Sequence, residues 1–253
     1  MAFDLSVIII VKNEQSNIRR LLSSIQWADE IIIVDSGSTD QTLTIAKEFT
    51  DTIYFQAWLG YGKQKQFALS KATKQWVISL DADEEVTNAL SEEIQTICQN
   101  DQSINAYKLI RKSFFGPKMI KHGDWKDDAP IRLFKRQKGR FSDDIVHESI
   151  LVDGQIDQLQ QPLYHYTYNQ VSDAIAKANE YSTLGAQKLY KKAKTSSITK
   201  ATIKGIWSFV RSYFIKLGFL DGKEGFVLAG CIALATYLKY VKLNELNRKV
   251  NYH

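Results

Sequence analysis

The chain has 253 residues, of which 44% are hydrophobic and 24% charged, a composition that is ordinary for a folded globular protein and argues against disorder. Its two cysteines, Cys98 and Cys231, lie far apart without a CxxC pattern, which argues against a disulfide framework or a zinc site. Because the first residues lack a basic segment and a small-residue cleavage site, we expect no secretory signal.

The formal net charge of +5 is unevenly distributed. Residues 185–253 carry 13 Lys and Arg against three acidic residues, a net charge of +10, so residues 1–184 carry −5. A basic, aromatic-rich segment suits nucleic acid or an anionic membrane, and its long apolar stretches favour the membrane. We therefore expect an anionic membrane surface as a partner, and no nucleic acid.

Two apolar, β-branched runs open the chain, and each is followed by a polar loop and a helical pattern. Leu5–Val11 and residues 30–34 are typical of strands buried on both faces, and residues 16–25 and 42–49 of helices. Strand, loop and helix in repetition predict an α/β fold with a parallel sheet. Ligands of such sheets bind beyond the carboxyl ends of the strands.

A third buried run, residues 76–80, ends in four carboxylates within five residues. On extended backbone Asp81 and Asp83 would point to the same side, and two oxygen ligands suit Mg²⁺ or Mn²⁺. The alternative is a strand that simply ends, with Thr87 as the N-cap of the next helix. Four further polar residues follow the first two predicted strands, and we expect them at the same edge of the sheet: Asn13, Glu14, Asp35 and Ser36.

Two common nucleotide-binding fingerprints are absent from the sequence. No GxGxxG follows the first strand, and no GxxxxGK[ST] occurs. Residues 60–66, GYGKQKQ, precede a helical pattern. Their glycines and lysines suit contact with a diphosphate and equally suit a solvated basic loop.

Four motifs resemble, in order, those of the inverting family 2 glycosyltransferases of GT-A fold: VIIIVKNE (residues 7–14), IIIVDSGSTDQT (31–42), GYGKQKQFAL (60–69) and WVISLDADEE (76–85). Five later motifs look like the subgroup that contains the lipopolysaccharide-core β-glucosyltransferases: HGDW (122–125), IRLFKR (131–136), VHE (146–148), LYHYTY (163–168) and KLGFLDGKEGFVLA (216–229). The resemblance spans nearly the whole chain. It implies a Rossmann-like, mainly parallel sheet flanked by helices.

The resemblance also implies an enzyme that takes sugar from a UDP-sugar and inverts the anomeric centre. The residues that it places around the nucleoside, the ribose or the phosphates are Val11, Asn13, Glu14, Asp35, Lys65 and Asp81. Those that it assigns to Mg²⁺ or Mn²⁺ are Asp83, Asp81 and His147. The family usually has Asn in place of Gln66, so we expect a shifted loop contact there.

Inversion in one displacement needs a base that deprotonates the acceptor hydroxyl. The candidates in the sequence are Asp124, Asp127 and Asp128. The resemblance maps the aspartate of the subgroup onto Asp128, with Asp127 as the next choice. Arg132 and Arg136 either meet acceptor phosphates or flank an apolar strand.

Two apolar, aromatic-rich segments follow near the C-terminus, at residues 203–220 and 225–243, with a turn predicted at residues 218–222. The longest uncharged run has 14 residues. Because a membrane span takes roughly 20 apolar residues, we expect amphipathic helices on the membrane surface and no transmembrane helix. Packing against the catalytic domain, or dimerisation through the same face, would give the same pattern.

We therefore predict a GT-A domain over residues 1–184, with a donor half over 1–105 and an acceptor side over 106–170, and a basic, membrane-associating helical region over 185–253. The predicted enzyme works at the cytoplasmic face of the bacterial inner membrane. It moves a hexose onto a lipid-linked acceptor. The resemblance implies that the donor is UDP-glucose and that the acceptor is a heptose of the lipopolysaccharide inner core. The alternatives are transfer to polyprenyl phosphate or to another cell-surface glycan, and a non-catalytic membrane-docking module.

Overall fold

A computed structural model of the chain describes residues 3–100, 103–126, 128–142 and 149–249. Asp127 and His147, two of the predicted site residues, lie outside the described residues. The chain forms two compact units, one made of residues 1–112 and 127–165, and the other of residues 113–126 and 166–253.

The elements of the first hundred residues are, in chain order, β1 (Leu5–Val11), α1 (Ile18–Ser24), β2 (Glu30–Asp35), α2 (Thr42–Ala46), β3 (Ile53–Phe55), α3 (Tyr61–Lys71), β4 (Trp76–Asp81), β5 (Glu84–Val86) and α4 (Asn88–Gln99). They are followed by β6 (Ile104–Lys108), β7 (Arg111–Phe115), β8 (Lys118–Met119), β9 (Ile131–Lys135), β10 (Gly139–Phe141), β11 (Ile150–Val152), β12 (Gln155–Gln158), β13 (Leu163–Tyr168), α5 (Val171–Lys191), α6 (Ile198–Val210) and α7 (Gly222–Lys249).

A seven-stranded sheet forms the centre of the first unit, in the order β12, β6, β9, β4, β1, β2, β3. β1 pairs in parallel with β2 and β4, and β2 pairs in parallel with β3. The predicted α/β fold with a mainly parallel sheet is confirmed. β9 runs antiparallel to both of its neighbours, β4 and β6.

β1 is the strand that both layers of the first unit pack against. Alternate side chains point to opposite faces, so Val7 and Ile9 join the core cluster that contains α1 and α4, whereas Ile8 joins the cluster that contains α3. All three are essentially fully buried, and burying such a side chain stabilises a fold by about 1.5–3 kcal/mol. A shift of one residue would exchange the two faces, so the register of β1 is strongly specified.

That register brings the ends of three strands to one edge. Val11 pairs with Asp35, and Ile10 pairs with Asp81, in neighbouring parallel ladders. The carboxyl ends of β1, β2 and β4 therefore lie side by side, where the strand-end rule expects a ligand.

In the second unit α7 packs against both α5 and α6. α6 continues as a π-helical turn, Arg211–Ile215, and a 3₁₀ turn, Gly218–Asp221, leads into α7. The turn predicted at residues 218–222 is thus confirmed. The domain boundary predicted between residues 184 and 185 falls inside α5.

One helical stretch of the described chain, Gly218–Arg248, is long and apolar enough to cross a membrane, by length and composition alone. The uncharged run of 14 residues underestimates the length of this helix, because Lys239 and Lys242 interrupt the run but not the helix. Core helices of soluble proteins meet the same criteria. Nζ of Lys242 lies 2.7–2.8 Å from four oxygen atoms on α5, which share its three N–H donors.

The HGDW motif contacts the α6–α7 turn within the second unit. The Gly123 N–H donates to the Lys216 carbonyl oxygen at 2.9 Å, and the His122 N–H donates to the Asp221 carboxylate at 2.8 Å. Asp124 forms ion pairs with Arg211 at 3.0 Å and with Lys216 at 2.8 Å. Two motifs almost a hundred residues apart are therefore parts of one packed structure.

Gly225 gives a test of this packing. A Cβ atom there would lie 1.9 Å from the backbone oxygen of Gly218, so Gly225→Ala should lower the free energy of unfolding by about 3 kcal/mol. Gly230→Ala in the same helix is the control, because nothing lies within 4 Å of its added Cβ and alanine favours helix by about 1 kcal/mol. Urea unfolding followed by circular dichroism measures both, and equal stabilities would contradict the close contact.

Candidate active site

Asp35 is buried at the end of β2 and holds the loop that follows it. Its carboxylate accepts hydrogen bonds from the Gly37 N–H at 2.8 Å, the Ser38 N–H at 3.1 Å and the Ser38 hydroxyl at 2.5 Å. Gly37 has φ +100°, a conformation that glycine adopts without strain. The carbonyl oxygen of Val11 accepts from the backbone and the hydroxyl of Ser36, both at 3.1 Å.

The loops after β1 and β2 are cross-linked by Asn13 and Glu14. Asn13 has a left-handed backbone with φ 57°, which asparagine tolerates better than most residues. Its N–H donates to the Ser38 hydroxyl at 2.9 Å, and its Oδ1 accepts from the Thr39 N–H at 2.8 Å. The Glu14 N–H donates to the Thr42 hydroxyl at 2.7 Å. The residues predicted at the nucleoside therefore belong to one hydrogen-bonded rim.

Asp81, the last residue of β4, binds two cations. Oδ1 lies 2.9 Å from Nζ of Lys65, and Oδ2 accepts from Nη2 of Arg132 at 2.5 Å. Loss of hydration alone would raise the pKa of Asp81, but the charges and hydrogen bonds of Arg132 and Lys65 outweigh it and hold that pKa well below its usual range. About a third of the side chain, 32%, remains exposed.

Glu84 is fully buried and joins this cluster, although no role was predicted for it from the sequence. Its carboxylate accepts from the Asp81 N–H at 2.9 Å and from Nη2 of Arg132 at 2.7 Å, and it lies 3.6 Å from Nη1 of Arg111. Burial would lower the pKa of Arg132, but the charges of Asp81 and Glu84 raise it above its usual value, so the guanidinium stays charged. Arg132 thus binds carboxylates of its own unit. In the sequence, the run of four acids at residues 81–85 is the feature that could have indicated a buried cationic partner.

Asp83 has different surroundings from Asp81. β4 ends at Asp81, and residues 82 and 83 form the turn into β5, so the alternation expected for extended backbone does not reach Asp83. Oδ2 of Asp83 lies 3.3 Å from Nε2 of His165. Thr87, the alternative raised from the sequence, does cap α4, since its hydroxyl accepts from the Leu90 N–H at 3.2 Å.

The donor set determines which kind of metal site is chemically reasonable. Within the described parts of the chain, no group of three or more His, Cys, Asp and Glu side chains could hold a metal ion. Mg²⁺ often binds only one or two carboxylates and completes its coordination with water and substrate phosphates. Asp83, beside the imidazole of His165, fits a cation that arrives with a diphosphate. Asp81 fits less well, because both of its oxygens bind cationic side chains.

Asp128 lies in the first unit, and Arg111 binds one oxygen of its carboxylate. Its Oδ2 accepts from Nε of Arg111 at 2.8 Å and also from Nη2, and 40% of the side chain is exposed. Asp124 belongs to the second unit and is bound there by Arg211 and Lys216. Asp127 lies outside the described residues, so its role stays a prediction.

The remaining predicted positions have structural contacts. Oε1 of Gln66 accepts from the Phe141 N–H at 2.9 Å, and the shift of a loop contact expected at that position stays a prediction. Nε of Arg136 donates to the Lys74 carbonyl oxygen at 3.0 Å, which agrees with a residue flanking a strand. His147 lies outside the described residues, and His165 is the histidine that the structure places beside Asp83.

Comparison with known proteins identifies the class. The family model described as "Glycosyl transferase family 2" matches residues 6–150, more than half of the chain. The chain therefore belongs to glycosyl transferase family 2, and its fold is the GT-A fold.

Relatives resemble the chain over almost its full length. It is 33% identical to an "Uncharacterized glycosyltransferase" of Rickettsia bellii (strain RML369-C), over 98% of this chain and 88% of the relative. It is 30% identical to the "Lipopolysaccharide core biosynthesis glycosyltransferase LpsC" of Rhizobium meliloti (strain 1021), over 95% of this chain and 92% of the relative. Among solved structures, S. aureus TarS 1-349 covers 99% of this chain and 92% of its own, with 16% identity and a TM-score of 0.46.

The ion pairs of Asp81 give a pH-dependent prediction. Because folding holds the pKa of Asp81 below its unfolded value of about 3.9, the pairs stabilise the fold fully above about pH 4 and lose their effect as the pH falls through the folded pKa. Asp81→Asn should cost about 2 kcal/mol near pH 7, less than a fully buried pair because the group is partly exposed. In urea unfolding at several pH values, the difference from wild type should shrink towards about pH 3, and a constant difference would contradict this.

Proposed function

We propose that the chain is an inverting, metal-dependent hexosyltransferase that moves glucose from UDP-glucose onto a heptose of the lipopolysaccharide inner core. The observation that carries the proposal is the edge of the parallel sheet, where Asp83 follows a strand end beside His165 and a carboxylate pair bound by Arg132. Membership of glycosyl transferase family 2 supplies the reaction class. The name of LpsC, a relative matched over nearly its whole length, supports the lipopolysaccharide core as acceptor.

On this proposal the rim after β1 and β2 binds the UDP moiety. Val11, Asn13, Glu14 and Asp35 surround the nucleoside, and their cross-linked loops are ordered by hydrogen bonds within the protein. Such order reduces the entropy that nucleotide binding would cost. Lys65 lies beside Asp81 at the same edge, where a cationic group favours an anionic ligand.

Mg²⁺ or Mn²⁺, held by Asp83 together with the diphosphate, would neutralise the negative charge that develops on the departing UDP. The predicted contribution of His147 remains a part of this proposal. Asp81 acts mainly through Lys65 and Arg132, so its role is to fix these cations at the edge.

The base of the proposed reaction is Asp128, with Asp127 as the alternative. One oxygen of Asp128 is held by Arg111 and the side chain keeps 40% of its surface exposed, so it can accept the proton of an acceptor hydroxyl. The proton moves to the carboxylate as the hydroxyl oxygen forms its bond to the anomeric carbon and UDP leaves. Arg111 positions the carboxylate for that transfer.

We further propose that the enzyme works as a peripheral protein at the cytoplasmic face of the bacterial inner membrane. The support is the net charge of +10 over residues 185–253, combined with the apolar segments in the same region. A lipid-linked saccharide acceptor is presented at such a surface.

A thermal-stability panel tests the donor site without the acceptor. With Mn²⁺ present, UDP-glucose should raise the apparent stability by about 2.7 kcal/mol at a hundredfold excess over Kd. Mn²⁺ alone should have little effect, because the described residues include no group of three or more ligands. Asp83→Asn should lose the metal-dependent rise and nearly all turnover. Asp153→Asn, an exposed aspartate of the same unit, is the matched control and should behave as wild type.

The panel and a transfer assay together decide the proposal. Retained activity in Asp83→Asn would contradict the metal assignment. Transfer from UDP-glucose to truncated lipopolysaccharide that ends in inner-core heptose should be observed. Transfer to polyprenyl phosphate instead, unaffected by Asp128→Asn, would overturn the acceptor and the base, since an ionised phosphate needs no deprotonation.

Arg111→Gln tests the positioning of Asp128. Without the guanidinium the carboxylate loses its fixed orientation, so kcat should fall by about 10–100-fold with the KM for the donor nearly unchanged. Arg111→Lys should recover part of the loss. Arg140→Gln is the control, because Arg140 is exposed and its 3.6 Å ion pair with Asp153 is exposed as well. An equal fall in the control, or a change in donor KM alone, would contradict the role.

A further inference from the structure

α6 packs its small side chains inwards. Ala201, Gly205 and Ser208, with Ser212 in the π-helical turn that follows, are all buried. A Cβ atom at Gly205 would lie 3.1 Å from Cβ of Tyr237 on α7, and the Thr236 hydroxyl donates to the Ser208 hydroxyl at 3.2 Å. The two helices therefore approach closely through a strip of small residues.

The large apolar side chains of the same segment are exposed. On α6 they are Ile203, Ile206 and Trp207, which are 54–61% exposed and recur at helical spacing. Those that follow in the turns and at the start of α7 are Phe214, Ile215, Leu217, Phe219, Leu220 and Phe226. We call these nine residues the apolar face of the second unit.

This arrangement is the reverse of a helix that packs in water. In a water-soluble protein the large apolar residues face the core and the polar ones face solvent. Small residues at a helix contact with large apolar residues outside are typical of helices that pack in a lipid environment. Contiguous exposed apolar patches on a protein surface often mark interaction sites.

The charges around the apolar face indicate what it contacts. No Asp or Glu occurs between Glu180 and Asp221, whereas eight cationic residues do: Lys188, Lys191, Lys192, Lys194, Lys200, Lys204, Arg211 and Lys216. Asp221 is buried, and Glu224 pairs with Lys118 at 3.3 Å. Arg211 and Lys216 pair with Asp124, whereas residues 188–204 add six lysines with no acid among them. Apolar side chains with such an excess of cations are complementary to an anionic bilayer surface.

Lys204 and Lys239 provide a second sign of an anionic partner. Loss of hydration, and then repulsion from Lys204, lowers the pKa of Lys239. Two cations that repel each other across neighbouring helices would both be stabilised by a lipid phosphate. Lys204 itself lies next to Ile203 on α6, at the border of the apolar face.

We propose that the apolar face inserts into the outer part of an anionic phospholipid leaflet, with the cations of residues 188–216 at the level of the lipid phosphates. Amphipathic helices of this composition lie in the plane of the interface with their apolar side buried by roughly 5–10 Å. Trp207 and the phenylalanines enter the acyl region, and the long lysine side chains extend to the phosphates. The inference rests on the proposed function in one respect: docking would bring the active site to a lipid-linked acceptor at the membrane surface.

A second copy of the chain is the competing occupant. A symmetric dimer would place the same face against itself, and so would bring together two sets of the six lysines of residues 188–204, a range that contains no acid. Charge complementarity therefore favours lipid.

Vesicle sedimentation tests the proposal on the full chain without any substrate. The chain should bind phosphatidylcholine vesicles that contain phosphatidylglycerol at least about tenfold more tightly than phosphatidylcholine alone. The double variant Ile206→Ser with Trp207→Ser should weaken that binding by at least about tenfold, since it removes two inserted side chains. Phe55→Ser with Ile156→Ser is the matched control, because both residues are exposed apolar residues of the first unit.

Fluorescence quenching separates insertion from adsorption by charge. Brominated acyl chains should quench the wild-type protein more than Trp207→Phe, because the other four tryptophans lie outside the apolar face. Equal quenching of the two proteins, or equal binding of the double variant and wild type, would overturn the proposal. So would a dimer that forms through this face and dissociates in the double variant.

Nucleotide binding is measured on the same proteins by thermal stability. A normal shift with UDP-glucose in the double variant shows that its first unit is folded, so lost vesicle binding then reports the docking face. If vesicle binding and quenching are as expected but no nucleotide sugar binds, the docking surface stands and the proposed function fails. The two proposals are thereby tested separately.

Discussion

The buried cation of Arg132, bound between Asp81 and Glu84, is the interaction on which the candidate active site depends. A guanidinium with so little exposed surface needs anions close to it, and removing one partner of such a group commonly costs about 3–5 kcal/mol. Arg132 comes from β9, and its partners come from the end of β4 and the start of β5. The ion pairs therefore fix three strands relative to one another at the edge where the ligand is expected.

This network also explains how two neighbouring aspartates come to differ. Asp81 lies in the sheet and is neutralised by Lys65 and Arg132, whereas Asp83 lies in a turn beside His165. Glu84 extends the network to Arg111, which holds Asp128. One continuous set of charges thus connects the proposed donor side with the proposed base.

The two units bury different kinds of side chain. In the first unit the large aliphatic residues of β1 are buried on both faces, as expected for a parallel sheet covered by helices. In the second unit α6 buries glycine, alanine and serine and exposes isoleucine and tryptophan. The first pattern is stabilised in water by the hydrophobic effect, and the second is the one expected where the surroundings are themselves apolar.

The sequence by itself determined the parallel sheet and the turn before α7, because local periodicity and turn residues are properties of consecutive residues. Its motifs indicated the family by resemblance, and the ligand-binding role of the sheet edge stays a prediction. The sequence also determined that the C-terminal region is basic and apolar at once. Only the tertiary structure decided which charges meet, since Glu84, Arg111, Asp128 and Arg132 are brought together from distant parts of the chain. Likewise, the spacing of apolar residues shows that α6 has two faces, but the close approach of α7 decided which one points outwards. Side-chain partners depend on distances across the fold, and a linear sequence does not contain those distances.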